Sequence, residues 1–178
     1  MKPNPVRDSI LDAALTVIAK GGACRLTLDA VAAEAEVSKG GLLYHFPDKQ
    51  SLLRGLLDRH LDRRAAWFAQ AASEHGSTVA AQMHARVDVV KLPETAPAAM
   101  PLLGILALEP KLLARPQAEA CELIDHLRAD PARLAQALVV LLASNGLVVS
   151  EALGTLPLTG AERDALIAEL HRLSDRLR

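Results

Sequence analysis

Between Thr27 and Lys49 the sequence TLDAVAAEAEVSKGGLLYHFPDK brings together two small hydroxyl residues, two lysines, a tyrosine and a histidine. These types at these spacings make neither a nucleophile–base pair nor a metal-ligand set. What they suit is contact with phosphate. Thr27 and Ser38 are good N-caps, and the free amides at the starts of the helices they cap attract anions. Tyr44 and Lys49 can bind phosphate oxygens directly, and Lys39, Gly40, Gly41, Tyr44 and His45 fall where a short helix would meet a groove. The two glycines let a helix backbone approach another surface closely, at a cost of about 1 kcal/mol each in helix propensity.

The elements that must hold these residues follow from the apolar pattern. After Thr27, Leu28, Val31, Ala32 and Ala35 recur at helical spacing and leave Asp29, Glu34 and Glu36 outward. Ser38 starts a second short helix through Leu43, Tyr44 and Phe46, and Pro47 stops it by forcing the preceding residue out of the α region. Two short helices joined by about three residues form a helix-turn-helix and need a third helix beneath them to cover both apolar stripes. The segment from about Val6 to Lys20 supplies it, with Ile10, Ala13, Ala14, Val17 and Ile18 as its buried stripe and Gly21-Gly22 as its end. Lys2 to Pro5 reads as a loose arm.

The segments RDSILDAALTVIAKGG and LTLDAVAAEAEVSKGGLLYHFPDKQSLL resemble the N-terminal DNA-binding domain of the TetR family of transcriptional repressors. The resemblance runs from Arg7 to about Leu57. Thr27, Val31, Ala32, Val37, Ser38, Lys39, Gly40, Leu42, Tyr44, Phe46, Lys49 and Leu52 all fall in that family's order. One departure is Glu36, at a turn position where the family usually has glycine. A side chain in a left-handed turn costs on the order of 1 kcal/mol.

Composition agrees with a helical fold. Of 178 residues, 51% are hydrophobic, yet only two are Phe, one Tyr and one Trp, so the core must be built from Leu, Ala and Val. No run of alternating β-branched residues is present, and the expected class is all-α. Residues 1 to 64 hold 10 Lys/Arg against 8 Asp/Glu and the remainder 10 against 13, a polarity with the right sign for a DNA-binding N-terminus. Cys24 and Cys121 fit no metal or redox spacing and read as buried or idle thiols in a reducing compartment. No cofactor or metal is expected. The apolar runs read as too short to cross a bilayer, which points to a cytoplasmic protein with no membrane partner. An enzyme is disfavoured, because Gly40-Gly41 lacks the strand and glycine spacing of a phosphate loop and no catalytic constellation stands out.

The domain division expected is 1–50 for DNA binding and 51–178 for the rest. A fourth helix carrying Leu52, Leu53, Leu56, Leu57, Leu61, Trp67 and Phe68 would run to Ser73 and join the two bodies. Thr78 to Leu92 reads as the next helix. Pro93, Pro97 and Pro101 are expected to cut the middle of the chain into short pieces. Helices over 111–128, 132–153 and from Thr159 onward follow. In the last, Leu166, Leu170, Leu173 and Leu177 fall at a/d spacing, and with Leu138 and Leu141 they form the expected dimer seam. His60, His75 and His171 read as exposed positions.

The resemblance implies that the second body dimerises and holds a small molecule. Trp67, Met83, His84, Met100, His126 and Asn145, polar or adaptable residues in apolar helices, are the expected ligand set. The mild acidic excess there points to an apolar ligand, neutral or cationic. The implied function is that of a repressor bound to a palindromic double-stranded DNA operator as a homodimer and released by a small-molecule effector. The alternative is a ligand-independent activator or architectural DNA-binding protein.

Overall fold

The structure, a computed structural model, describes residues 4–22, 25–76, 78–92 and 95–177. Among them are nine α-helices and no strand: α1 Pro5–Gly21, α2 Leu28–Glu34, α3 Lys39–His45, α4 Lys49–His75, α5 Val79–Val89, α6 Thr95–Leu108, α7 Ala114–Arg128, α8 Pro131–Leu153 and α9 Gly160–Asp175. The helices pack into two units, Met1–Asp62 with Pro101–Leu113, and Arg63–Met100 with Ala114–Arg178. The division therefore falls within α4, later than residue 50, and the first unit also takes in a later piece of chain. Cys24 lies outside the described residues, and Cys121 is exposed rather than buried.

In the first unit, Asn4 caps α1 by accepting the Arg7 amide at 3.1 Å, and Pro5 occupies the first turn. The expected loose arm thus ends before Asn4, because a proline at the first helical position lacks only an amide that would have had no partner. Ile10, Leu11, Ala14 and Ile18 of α1 close over Val31 of α2, Leu42 and Phe46 of α3, and Leu52, Leu53, Leu56, Leu57 and Leu61 of α4. Burial of each such leucine contributes about 1.5–3 kcal/mol. Arg59 ties α4 to α1, donating to the Asp8 carbonyl at 3.2 Å and pairing with Asp12 at 2.8 Å.

Ile105 of α6 and Leu112 of a short 3-10 turn, Pro110–Leu113, complete that core. Pro93 lies outside the described residues, and Pro97 and Pro101 do not fragment this region as expected: α6 runs unbroken from Thr95 to Leu108 with Pro101 inside it. Pro97 sits in the first turn, where no amide is needed, and only Pro101 withdraws an internal hydrogen bond. The boundary between the units falls at Pro101. Pro116 is likewise in the first turn of α7 and does not bend its middle.

The second unit is built on α5, α7, α8 and α9, with Met83, Val87, Leu127, Ala137, Val140, Leu147, Ile167, Leu170 and Leu177 in its core. The hydroxyls of Ser144 and Ser174, buried with them, donate to the Val140 and Leu170 carbonyls at 2.8 Å, so neither is left unsatisfied. α9 begins with a reciprocal capping box between Thr159 and Glu162, and α8 ends on left-handed Gly154. At 23 residues and a mean hydropathy of 1.7 over its most apolar window, α8 is long and apolar enough to cross a membrane, contrary to the expectation from run length. In this fold one face of it is the core of the second unit.

His171 is not a simple exposed position. Its Nδ1 lies 2.7 Å from Nδ1 of His84 on α5, and its Nε2 lies 3.1 Å from both Asp88 and Lys91. His84 in turn reaches Asp175 at 3.2 Å. A single proton can bridge the two facing nitrogens, and a second would set two N–H groups against each other. Burial holds His171 below its usual value of 6.5, outweighing the pull of Asp88, with Lys91 and His84 acting in the same direction as burial. The folded state therefore binds the proton less well than the unfolded chain. The stability conferred by the neutral ring is present above pH 6.5 and is lost as pH falls below it. The expected result is a melting temperature that declines from about pH 7.5 to about pH 5.5, with a shallower decline in His171→Gln. Equal slopes in the two proteins would remove this role.

Candidate nucleic-acid interface

The geometry of α2 and α3 is set by two caps and one strained turn. Thr27 Oγ1 accepts the Ala30 amide at 3.1 Å, and Ser38 Oγ accepts the Gly41 amide at 3.1 Å. Between the helices Glu36 takes φ 54°, the one positive φ outside glycine among the described residues. The Val37 amide then closes onto the Ala32 carbonyl at 3.0 Å. The left-handed turn inferred from the sequence is thus present with glutamate in it, at a cost of about 1–2 kcal/mol.

α3 has an inner and an outer face. Leu42 and Phe46 are buried, Leu43 half-buried, and Tyr44 is 83% exposed. Phe46, extended at φ −138°, caps the helix as the residue before Pro47. The Tyr44 ring stands edge-on to His45 at 5.0 Å, and Lys49, half-buried, opens α4. Lys39 pairs with Asp29 of α2 at 2.8 Å, both side chains largely exposed. Asp48 caps α4 by accepting the Ser51 amide at 2.6 Å, and the two hydrogen bonds from Ser51 hold its carboxyl below the usual range. The two glycines differ. A Cβ on Gly41 would lie 3.2 Å from the Ser38 hydroxyl and press on the cap, whereas Gly40 faces open space. Among the described residues nothing requires glycine at position 40.

Two positioning residues escaped the sequence reading. Asp29 holds Lys39 from the neighbouring helix, and no local pattern announces that pairing. Gly55 could have been noticed as a lone glycine inside α4. A Cβ there would come within 2.7 Å of the Phe46 ring, over which the Arg7 guanidinium lies 5.2 Å from the centroid. Gly55→Ala is expected to displace Phe46 and destabilise the fold by about 1–3 kcal/mol in urea unfolding, despite the better helix propensity of alanine. An unchanged or raised midpoint would show that the ring can yield.

The expected ligand residues of the second unit do not converge. Trp67 donates its indole N–H to the Ala85 carbonyl at 3.4 Å, Met83 is sealed in the core, and His84 is taken up with His171. His126 is exposed beside Gln82 at 3.3 Å, and Asn145 is exposed on α8. The Met100 side chain lies outside those described. The error lies in treating a polar residue within an apolar helix as an inward one: the SNG step of α8 turns Ser144 in and Asn145 out. A cavity of about 260 Å³ is lined by other residues, Phe68, Ala69 and Ala72 of α4 with Ala81, Gln82 and Arg86 of α5.

The model of the bacterial regulatory proteins of the tetR family matches residues 10–56, and that of the tetracyclin repressor-like C-terminal domain matches residues 76–175. This chain belongs to the TetR family. It is 29% identical over 101 residues to the uncharacterized HTH-type transcriptional regulator YvkB of Bacillus subtilis (strain 168), a match spanning 53% of each protein. The chain thus aligns with about half the length of that curated relative. Among solved structures it resembles a transcriptional regulator from Rhodococcus sp. Rha1, with TM-score 0.73 and 18% identity over 96% of this chain and 95% of that one. A TetR-like regulator from Rhodococcus sp. RHA1 gives TM-score 0.70 and 24% identity over 99% and 97%. The multidrug binding protein EbrR complexed with malachite green gives 0.63 and 22% over 96% and 98%. These likenesses show the fold.

In this TetR-family chain the residues expected at the dimer seam all pack, wholly or in part, within the protomer. Leu170 and Leu177 are buried in the second unit's own core, and Leu138, Leu141, Leu166 and Leu173 pack half-buried against it. A/d spacing marks a buried stripe without naming its partner, and here that stripe meets the chain's own helices. The exposed apolar residues lie elsewhere on α8: Val139 at 54%, Leu142 at 66% and Leu153 at 50%. With exposed Gly146 they follow a helical repeat of three and four along one face.

Proposed function

We propose that this TetR-family regulator is a repressor that binds a palindromic operator as a homodimer and is released by a small, largely apolar ligand. The observation that carries the DNA half is the outer face of α3, where Gly40 leaves a gap that this chain's packing does not need and Tyr44 projects into solvent beside it. An α-helix with such a face fits the major groove, its backbone close to the bases, with Tyr44, Lys39 and Lys49 and the amides capped by Thr27 and Ser38 on phosphates. Few side chains there can read base edges, so much of the affinity is electrostatic. The protein acts in the cytoplasm, without a cofactor.

The dimer half rests on α8. Val139, Leu142, Gly146 and Leu153 make an apolar stripe with a glycine at its middle that a second copy can approach closely, giving a two-fold helix pair. Two reading helices then stand about 34–36 Å apart, one turn of DNA. A ligand in the second unit that moved α4 would change that spacing and lower DNA affinity. That EbrR, which shares this fold, is complexed with malachite green supports a small-molecule role.

Anisotropy titration on a duplex selected from genomic fragments tests the interface. Lys49→Ala is expected to weaken selected and random duplexes alike and to lower the salt slope by about one. A slope independent of Lys49 removes its phosphate contact, and no selectable duplex at all overturns the function.

Leu142→Glu tests the dimer without disturbing the protomer, since position 142 is open to solvent there. Light scattering should give dimers for the wild type and monomers with unchanged helical circular dichroism for the variant, because the carboxylate would be buried unpaired in the dimer. A wild type already monomeric at micromolar concentration sinks the dimer.

A further inference from the structure

Within the second unit, Arg86 presents an electrostatic problem that the fold itself leaves unsolved. Its guanidinium lies 4.6 Å from the centroid of the Phe68 ring, at the wall of the cavity between α4 and α5. Its Nε is buried and donates to nothing. Among the described residues no carboxylate is paired with it, and the charge that acts on it is another cation, Arg64. Arg64 itself is answered by Glu119 at 2.9 Å, and Glu119 also receives Arg115 at 3.2 Å. The nearby acid is therefore already shared between two other guanidiniums. A ring face offsets only part of the cost of burying a cation.

The cavity beside this group is made by small side chains. Ala69 and Ala72 of α4 line it with Ala81 of α5, and the space is about 260 Å³, just below the usual range of ligand sites. Its walls are apolar apart from Arg86 and Gln82. A neutral apolar molecule would fill the space and leave Nε without an acceptor. A cation would meet Arg86 and, beyond it, Arg64.

We infer that this cavity binds a small carboxylate with an apolar body, its acid held by Arg86 and its body against Phe68 and the alanines. The inference deepens the ligand half of the proposed function and rests on it. It also revises the charge of the ligand expected from the sequence: the acidic excess is spread over the whole segment, while among the described residues the one charged side chain lining the cavity is Arg86. Burial and Arg64 push the Arg86 guanidinium down to about 10, so it remains charged at neutral pH and able to pair.

The chain carries its own reporter. Trp67 is the sole tryptophan, and its indole N–H is bonded to the carbonyl of Ala85, which also lines the cavity. Benzoate, benzamide and benzylammonium are to be titrated into the full chain, following Trp67 emission and heat. Benzoate is expected to shift the emission and to bind about 10- to 100-fold more tightly than benzamide, the range for a hydrogen bond to a charged group. Benzylammonium should bind more weakly than either. Arg86→Gln should bring benzoate to the level of benzamide, and Arg86→Lys should keep part of the preference. If circular dichroism shows that Arg86→Gln does not fold, the wild-type ratio and Arg86→Lys decide.

Benzamide binding as well as benzoate, a preference that survives Arg86→Gln, or no binding by any of the three overturns the inference. Operator release separates it from the reading beneath it. Carboxylate binding without loss of DNA affinity keeps the site and removes ligand release, because equal affinity for the two states shifts no equilibrium. A neutral compound that releases DNA does the reverse.

Discussion

The contact between Phe46 and Gly55 is the constraint on which the outer face of α3 depends. A seven-residue helix does not hold its shape in water alone, so its orientation comes from whatever it is fastened to. Here Leu42 and Phe46 fasten it. The phenyl ring can sit against α4 because position 55 has no side chain, and Arg7 of α1 covers the ring from another side. Three helices thus share one aromatic group, and Tyr44 points outward because Leu42 and Phe46 must point in. The direction of the exposed face is a packing result before it is a recognition surface.

The second unit solves the opposite problem. Its core of Leu, Val and Ala gives bulk without direction, and the polar groups within it are what fix the register. Ser144 and Ser174 turn their hydroxyls back onto their own helices, whereas His84 and His171 bind α5 to α9 through facing ring nitrogens. In this unit Arg86 is the exception, its buried Nε having no acceptor among the described residues. Buried polar groups are satisfied so generally that an exception of this kind is itself informative.

How much of this could be read from the sequence follows from the range of each interaction. Thr27, Ser38, Thr78 and Thr159 cap the helices they were expected to start, because a cap acts over three residues. The strained turn at Glu36 was legible only through the resemblance, which places glycine at that position. The prolines of α6 misled because their effect depends on where in a helix they fall, and the start of that helix carries no strong cap signal. Which way Asn145 and Leu170 face was not legible at all. Periodicity says that two faces of a helix differ, but the identity of the covering partner is long-range information. The pairs Lys39–Asp29 and Phe46–Gly55 are of that long-range kind too.

The ion pair between Lys39 and Asp29 has a further consequence. A phosphate arriving at Lys39 does not find an idle cation: it must replace a carboxylate already 2.8 Å away. The gain is then the difference between two anions rather than the whole of one contact. Mobile salt screens the internal pair as it screens the external one, so Lys39 should register only weakly in the ionic-strength dependence of binding. Asp29, freed by the exchange, would stand as an unneutralised negative charge near the polyanion. If α3 binds DNA as proposed, the pair would work as a threshold, penalising loose contact and yielding only when the rest of α3 is seated.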